Sequence, residues 1–299
     1  MYLITGAGGG IGGVSRMVVE QLRSRGEQVR AMVHRDDERA GALRALGAEV
    51  VVGDLTEPRD VVDAMAGVDR MFFSMSVSPE YLQATAVVCA AALESGRLEV
   101  IVNMSQMTVS QMTLTSTDES RQHRLHWLAE RVMNWSGVPA VHIRPTTFLD
   151  NPIFTALAAP ALRERNVLQL PFGTGRTSPI AASDVARVVA AVLLNPADRI
   201  GAVYELTGPA SLDIDGLAAQ YARALHRPIT GADVAHDTWV KEVLQPLGLP
   251  AHVAQHLATM AKLHRAGRYD RSTDDVRQIT GQPALSVEQY VAANPQLFA

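Results

Sequence analysis

One cysteine, Cys89, in a chain of 299 residues leaves no partner for an internal disulfide and suits a reducing compartment. Basic residues are in no excess. The 27 lysines and arginines against 31 acidic residues give a formal charge of −4, too little positive field to attract a phosphate backbone, so nucleic acid is not an expected partner. The longest apolar runs, 84–93 and 188–194, fall well short of the ~20 residues of a bilayer-spanning helix, and no membrane span is expected. Nothing basic precedes Tyr2, Leu3 and Ile4, so no secretory leader is read and the expected location is the cytoplasm. The sequence also lacks low-complexity tracts, flexible linkers and any internal repeat in the ~20–50-residue range.

What is present is ordinary globular material. With 47% of residues hydrophobic and 19% charged, the chain is neither disordered nor collagenous, and its length suits one large α/β domain or two modest ones. Short β-branched runs alternate with helical periodicity through the N-terminal half, the pattern of βα units feeding a parallel sheet. Strands are expected at 2–5, 28–34, 49–52, 70–74, 100–104, 141–144 and 203–206. Between the first two, Ile11, Val14, Val18 and Leu22 form one apolar stripe, and Gly26 is expected to end that helix. Ser183 is placed to cap a helix over 184–194, and Ser272 with Asp275 to open one that stops at Gly281. Beyond the sixth strand Pro145, Pro152, Pro160, Pro171 and Pro179 punctuate loops and short helices. The expected division is a nucleotide-binding unit over 1–150 and a smaller, mostly helical substrate-side unit over 151–299, which lends strand 203–206 to the sheet.

The segment Thr5-Gly6-Ala7-Gly8-Gly9-Gly10-Ile11-Gly12 follows the first strand and opens the first helix, the context that makes a glycine pattern meaningful. Gly6 permits the tight turn, Gly9 lets backbone approach a pyrophosphate, and Gly12 allows close helix–sheet packing. The helix N-terminus adds free N–H groups and positive dipole for the phosphates. A dinucleotide is therefore the expected cofactor. At the end of the second strand Arg35, with His34, can pair with the 2′-phosphate of NADP. The lesser alternative is a solvated arginine beside Asp36 and Asp37, which could themselves serve a ribose. Asp54 and Leu55 after the third strand stand where an adenine edge can bind, or Asp54 simply caps the next turn.

Taken with Arg144-Pro145, Phe148 and Asn151 after the sixth strand, these residues resemble the NmrA-like atypical short-chain dehydrogenase/reductases. Segments 173–180, 183–186 and 204–208 are similar to the same family, so the resemblance spans nearly the whole chain. It implies an α/β fold, a Rossmann-type doubly wound parallel sheet with a small C-terminal substrate-side subdomain, and a site for NAD(P)H with NADPH favoured. It also implies cofactor contacts from Ser74 and Met75, from Asn103 and Met104, and from Pro145. Members of the family are either reductases of quinones, dyes or phenylpropanoids, or proteins that bind the cofactor only to sense it.

Most short-chain dehydrogenases use a tyrosine as acid, a lysine one helical turn later to lower its pKa, and a serine at the end of the fifth strand. Ser105 matches the serine, but the tyrosine position holds Gln122 and the lysine position His126. A forming alkoxide would lack its acid, so alcohol–ketone interconversion is not expected. A histidine at this place resembles the quinone and triphenylmethane-dye reductases of the family, whose acceptors take hydride readily once positioned. His126 then either orients the nicotinamide ribose and supplies a proton, or is a structural histidine packed beneath the site. Ser105 either acts in catalysis or bonds backbone at a strand end. Gln106, Met107, Phe148 and Asn151 are candidate substrate contacts, the last two also readable as core filler and a turn. The pairs His123/His126 and His252/His256 have metal-compatible spacing but no third ligand or zincin glutamate, and no metal is expected. Trp127, Trp135 and Trp239 read as packing residues, and Val253, Leu257, Met260 and Leu263 as core or dimer contact. The expectation is an NADPH-dependent reductase of a planar conjugated acceptor (quinone, azo compound or dye), with a non-catalytic NADP(H) sensor as the alternative. Monomer and homodimer are left open.

Overall fold

The computed structural model describes residues 1–8 and 13–298. Gly9, Gly10, Ile11 and Gly12 of the glycine loop, and Ala299, lie outside the described residues. The strands are β1 (Tyr2–Ile4), β2 (Val29–Val33), β3 (Glu49–Val52), β4 (Arg70–Phe73), β5 (Val100–Met104), β6 (Ala140–Pro145), β7 (Val167–Leu170), β8 (Val203–Leu206) and β9 (Thr230–Asp233). The helices are α1 (Val14–Arg23), α2 (Glu38–Ala45), α3 (Pro58–Met65), α4 (Tyr81–Ser95), α5 (Arg121–Ser136), α6 (Ala159–Arg165), α7 (Ala182–Leu194), α8 (Ile214–Leu225), α9 (His236–Trp239), α10 (Ala251–Arg265), α11 (Asp275–Thr280) and α12 (Val287–Ala293).

Seven strands form one sheet in the order β3-β2-β1-β4-β5-β6-β8, and every pairing is parallel. Parallel strands need crossover helices, and both sheet faces are therefore buried. Alternate strand residues show it. Ile4, Phe72, Val102 and Ile143 pack against α1, α2, α7 and α11 through Val18, Leu43, Val189 and Val276. Leu3, Met71, Phe73 and Ile101 face the other way, onto Val61, Val88, Ala129 and Met133 of α3, α4 and α5. The doubly wound α/β architecture expected from the sequence is the one observed. The reversal of strand order falls between β1 and β4, where a crevice opens outside the carboxyl ends of the strands.

A second core, built around Phe154, Leu162, Phe172, Tyr221, Leu257 and Val291, holds the substrate-side unit together. It contains a two-stranded parallel sheet of β7 and β9 that the sequence pattern does not announce. The strand β9 reads Thr-Gly-Ala-Asp, with no β-branched run; it is held instead by close packing, since a Cβ on Gly231 would come 2.7 Å from the Ile214 side chain. Three helix ends also differ from expectation. Helix α1 stops at Arg23, and Gly26 (φ +80°) carries the turn behind it. Ser183 lies inside α7, whose first free N–H, that of Ala182, donates to the Asp150 carboxylate at 2.9 Å. Asp274, not Ser272, immediately precedes α11. Trp135 is 76% exposed and so is no packing residue, whereas Trp239 is buried.

Gly208, just past β8, runs against the 178–179 backbone: a Cβ there would lie 2.2 Å from the Pro179 carbonyl oxygen. Gly208→Ala should therefore cost about 1–3 kcal/mol through forced backbone movement, seen as a lowered urea midpoint. Gly41→Ala, in mid-α2 with no heavy atom within 4 Å, should leave the midpoint unchanged or raise it.

Candidate active site

Two adjoining clefts lie along the carboxyl edge of the sheet and share Gly6, Ser74, Met75 and Ser76. The outer one, about 330 Å³, is bordered by the residues that follow β1, β2 and β3, namely Gly6 and Gly8, His34 and Arg35, and Gly53, Asp54 and Leu55. The inner one, about 520 Å³, lies between the ends of β4, β5 and β6 and the substrate-side unit. Gly13, Val14 and Ser15 at the start of α1 open onto it, which is the placement a helix needs to present free N–H groups to an anion.

Gly6 has φ +66°, and a Cβ on it would meet the Ser74 carbonyl oxygen at 2.6 Å, so only glycine lets β1 and β4 approach this closely. Thr5 is fully buried and does not reach either cleft. Its hydroxyl donates to the Ser74 carbonyl at 2.9 Å and accepts from the Ser74 N–H at 2.9 Å, tying the two strand ends together under the site.

At the outer cleft the acids beside Arg35 are engaged with other arginines. Asp36 is held by both terminal nitrogens of Arg44 at 2.7 and 2.9 Å. Asp37 binds the Arg39 side chain at 3.0 Å and caps α2 by accepting from the Arg39 and Ala40 N–H groups. These bonds hold both carboxyls below their ordinary range. Neither acid is free for a ribose, and among the described residues Arg35 has no ion-pair partner. Asp54 does cap its turn: one oxygen accepts from the Thr56 N–H and hydroxyl, each at 2.8 Å. Its other oxygen stays at the cleft, 3.9 Å from His34 Nδ1. The residues present fit an adenosine carrying a 2′-phosphate. Arg35 and His34 would hold the phosphate, and Arg39, which sequence reasoning did not single out, borders the same space.

The inner cleft contains Ser105, Gln106, His126, Met104, Pro145, Phe148 and Asn151 of the expected residues. Two others are elsewhere. Asn103 is buried behind the strand end, its amide 3.0 Å from His142 Nδ1, and Met107 is fully buried in a short 3₁₀ turn. Asn151 lines the cleft while its side-chain amide oxygen accepts from the Ile153 N–H at 2.9 Å in a turn.

Some protic groups at this cleft are engaged by protein partners, while Gln106 Nε2 and Thr146 Oγ1 are buried without one. Ser105 donates its one hydroxyl proton to Glu130 at 2.5 Å. Burial pushes the Glu130 carboxyl up, but the Arg144 guanidinium at 2.6 and 2.9 Å overcomes this and holds it below the ordinary range. Gln122 is buried, accepting at its oxygen from the Ser78 N–H (3.2 Å) and from His252 Nε2 (2.8 Å), and its nitrogen donates to His126 Nε2 at 3.2 Å. His126 packs on the Tyr81 ring, centroids 4.3 Å apart, and burial, reinforced by His256, pushes its pKa down to about 3. It is therefore a neutral imidazole near pH 7, with its Nδ1 buried and without a protein partner. It is a hydrogen-bonding and positioning group, not an imidazolium acid. The metal-spaced histidines are engaged likewise: Ser120 Oγ bridges His123 Nδ1 and His256 Nδ1, each at 2.8 Å.

Sequence reasoning missed the far wall. Val253, Leu257 and Met260 of α10 line the cleft, as do Leu247, Leu249, Thr147 and Tyr269. A helix with an apolar stripe gives no sign of whether that stripe meets core or cleft, and Tyr269 lies outside any motif.

Burial lowers the pKa of His126 and His264 to about 3, that of His256 to about 4, and that of His123 well below 6.5. These folded values lie under the unfolded one, so below about pH 6.5 the unfolded chain binds more protons. Stability is thus intact above about pH 6.5 and declines as pH falls toward 4, by up to about 1.4 kcal/mol per pH unit for each imidazole kept neutral. Thermal unfolding followed from about pH 7.5 to 4.5 should show this decline; a flat midpoint would contradict it.

Comparison with known proteins agrees with this geometry. The chain matches the NAD(P)H-binding family over residues 7–196. It is 27% identical over 292 residues, 97% of each chain, to an NAD(P)H azoreductase of Xenophilus azovorans. It is also 27% identical over 299 residues, covering 100% of this chain and 99% of the other, to a (4-alkanoyl-5-oxo-2,5-dihydrofuran-3-yl)methyl phosphate reductase of Streptomyces griseus. Among solved structures, an NADPH-dependent quinone oxidoreductase of Escherichia coli in complex with NADPH superposes with a TM-score of 0.83 at 24% identity, covering 98% of this chain and 99% of that one, a likeness of fold. The chain belongs to the NAD(P)H-binding family.

Proposed function

We propose that the protein is an NADPH-dependent oxidoreductase that passes hydride to an uncharged, planar, conjugated acceptor such as a quinone, a neutral azo compound or a neutral dye. The observation that carries this reading is the lining of the inner cleft. Its walls are Met104, Pro145, Phe148, Leu249, Leu257 and Met260 with a few hydroxyls and amides, and among the described residues no Asp, Glu, Lys or Arg side chain borders it. A charged acceptor would lose its hydration there without gaining an ion pair, a cost of several kcal/mol. The reduced nicotinamide supplies the hydride when bound, and the protein's part is to hold the two reactants face to face in a space from which water is largely excluded.

Ser105, Gln122 and His126 point to the same class of acceptor. None has a readily ionised proton to give, so a simple ketone, whose reduction builds a strongly basic alkoxide, is poorly served. A quinone becomes a far less basic hydroquinone anion that water can protonate. The two full-length relatives named above are both reductases, which supports an enzyme over a cofactor sensor.

Two measurements test the reading. NADPH should be oxidised with menadione and with neutral azo compounds, slowly or not at all with sulfonated dyes, and not with cyclohexanone; a cofactor left intact by the whole panel would mean a sensor. Arg35→Ala should weaken NADPH binding by about 1.5–3 kcal/mol, the range for a hydrogen bond to a charged group, and leave NADH nearly untouched. Equal losses for both cofactors would remove the 2′-phosphate assignment.

A further inference from the structure

The inner cleft has lost the tyrosine that α5 supplies in most short-chain dehydrogenases, yet an aromatic hydroxyl lines it from the opposite wall. Tyr269 lies after α10, is 3% exposed and borders the cleft. Its ring stacks on His264 at 3.8 Å and 10°, and the other face of His264 stacks on Phe172 at 3.9 Å and 7°. A ring in such a stack cannot swing away. Its O–H can still turn about the C–O bond.

The neighbouring hydrogen bonds define what that hydroxyl does. His264 Nδ1 lies 2.8 Å from the Met260 carbonyl, which only accepts, so Nδ1 carries the proton and Nε2 of the neutral ring is an acceptor. Thr147 Oγ1, 3.2 Å from Nε2, must then be the donor to it. With its one proton committed, Thr147 has none to give Tyr269, which borders the same cleft. The phenol keeps its own proton to donate. Burial raises its pKa above the ordinary value, so it stays protonated at any physiological pH. Ser105, by contrast, gives its proton to Glu130, and the His126 Nδ1 is shut off inside the protein.

We propose that Tyr269 is the catalytic hydrogen-bond donor to the reducible oxygen or nitrogen of the acceptor, in the place left empty at Gln122. This rests on the inner cleft being the acceptor site. Hydride, carrying the electron pair, goes from the reduced nicotinamide to the quinone and leaves oxidised cofactor and the hydroquinone monoanion. As negative charge builds on the acceptor oxygen, the Tyr269 O–H turns toward it and stabilises it without giving up its proton; water then supplies the one proton that completes the hydroquinone. The donor is pre-positioned by the stack, so little reorganisation is needed at the moment of transfer.

Infrared difference spectra of menadione bound without cofactor, combined with steady-state kinetics, test this. The wild type should show a carbonyl band shifted to lower frequency than in free menadione, and Tyr269→Phe, which keeps the stack, should lose the shift. The same variant should lose roughly 10- to 100-fold in kcat while its NADPH dissociation constant is unchanged, as for removal of one preorganised donor. An unshifted band in the wild type overturns the proposal whether or not the variant folds, and so does a Tyr269→Phe protein that keeps both the shift and kcat. A wild type that shifts the carbonyl band but never oxidises NADPH keeps Tyr269 as the donor and overturns only the reading of function.

Discussion

The contact between α10 and α5 shapes the chemistry available at this site. It is made by uncharged partners: His252 Nε2 donates to the Gln122 oxygen at 2.8 Å, His256 Nδ1 meets Ser120 Oγ at 2.8 Å, and the Arg121 N–H donates to the Gln255 oxygen at 3.2 Å. Burial lowers the His256 pKa to about 4, so this contact carries no imidazolium charge from His256 near pH 7. With α10 fixed in this way, Val253, Leu257 and Met260 become the far wall of the inner cleft. The apolar far wall of the cleft and the neutrality of His256 thus both follow from the packing of α10.

Charge is kept out of the acceptor space and placed behind and beside it. Behind β5 and β6, Glu130 and Arg144 form a buried pair at 2.6 Å, and Glu205 joins Arg144 to Arg271. This network holds Ser105 in one orientation and also uses its proton, so the serine offers lone pairs to the cleft and no donor. Beside it, the outer cleft has cations in Arg35 and Arg39, with Asp36 and Asp37 neutralised by Arg44 and Arg39. One end therefore suits a phosphorylated nucleotide and the other an uncharged aromatic, with Gly6 and Ser74 at the boundary.

Much of this was legible in the sequence. The βα alternation located each strand of the large sheet, because a strand buried on both faces must be a continuous apolar run, as in Met71-Phe72-Phe73 and Val100-Ile101-Val102. Gly6, His34, Arg35 and Asp54 were legible as cleft residues because they directly follow strands, where the fold leaves little freedom. Asn103 was misplaced because proximity to a strand end does not say which way a side chain points; it faces His142. The far wall was illegible for a different reason. Tyr269 and α10 reach the cleft through packing between segments more than a hundred residues apart, as in the Thr147–His264 bond, and no local pattern records such a contact. The strand β9 escaped notice likewise, its Gly231 being chosen by the neighbouring Ile214 and not by strand propensity.

The central claim is that a nicotinamide bound at the outer and inner clefts transfers hydride to a neutral acceptor seated against Tyr269 and the apolar wall of α10. Its most direct test is a single turnover. The protein preloaded with one equivalent of NADPH is mixed with excess menadione, and the absorbance of the reduced nicotinamide is followed by stopped flow. The account predicts complete, first-order loss of that absorbance with a matching yield of hydroquinone. An absorbance that persists, with menadione bound but unreduced, would contradict it.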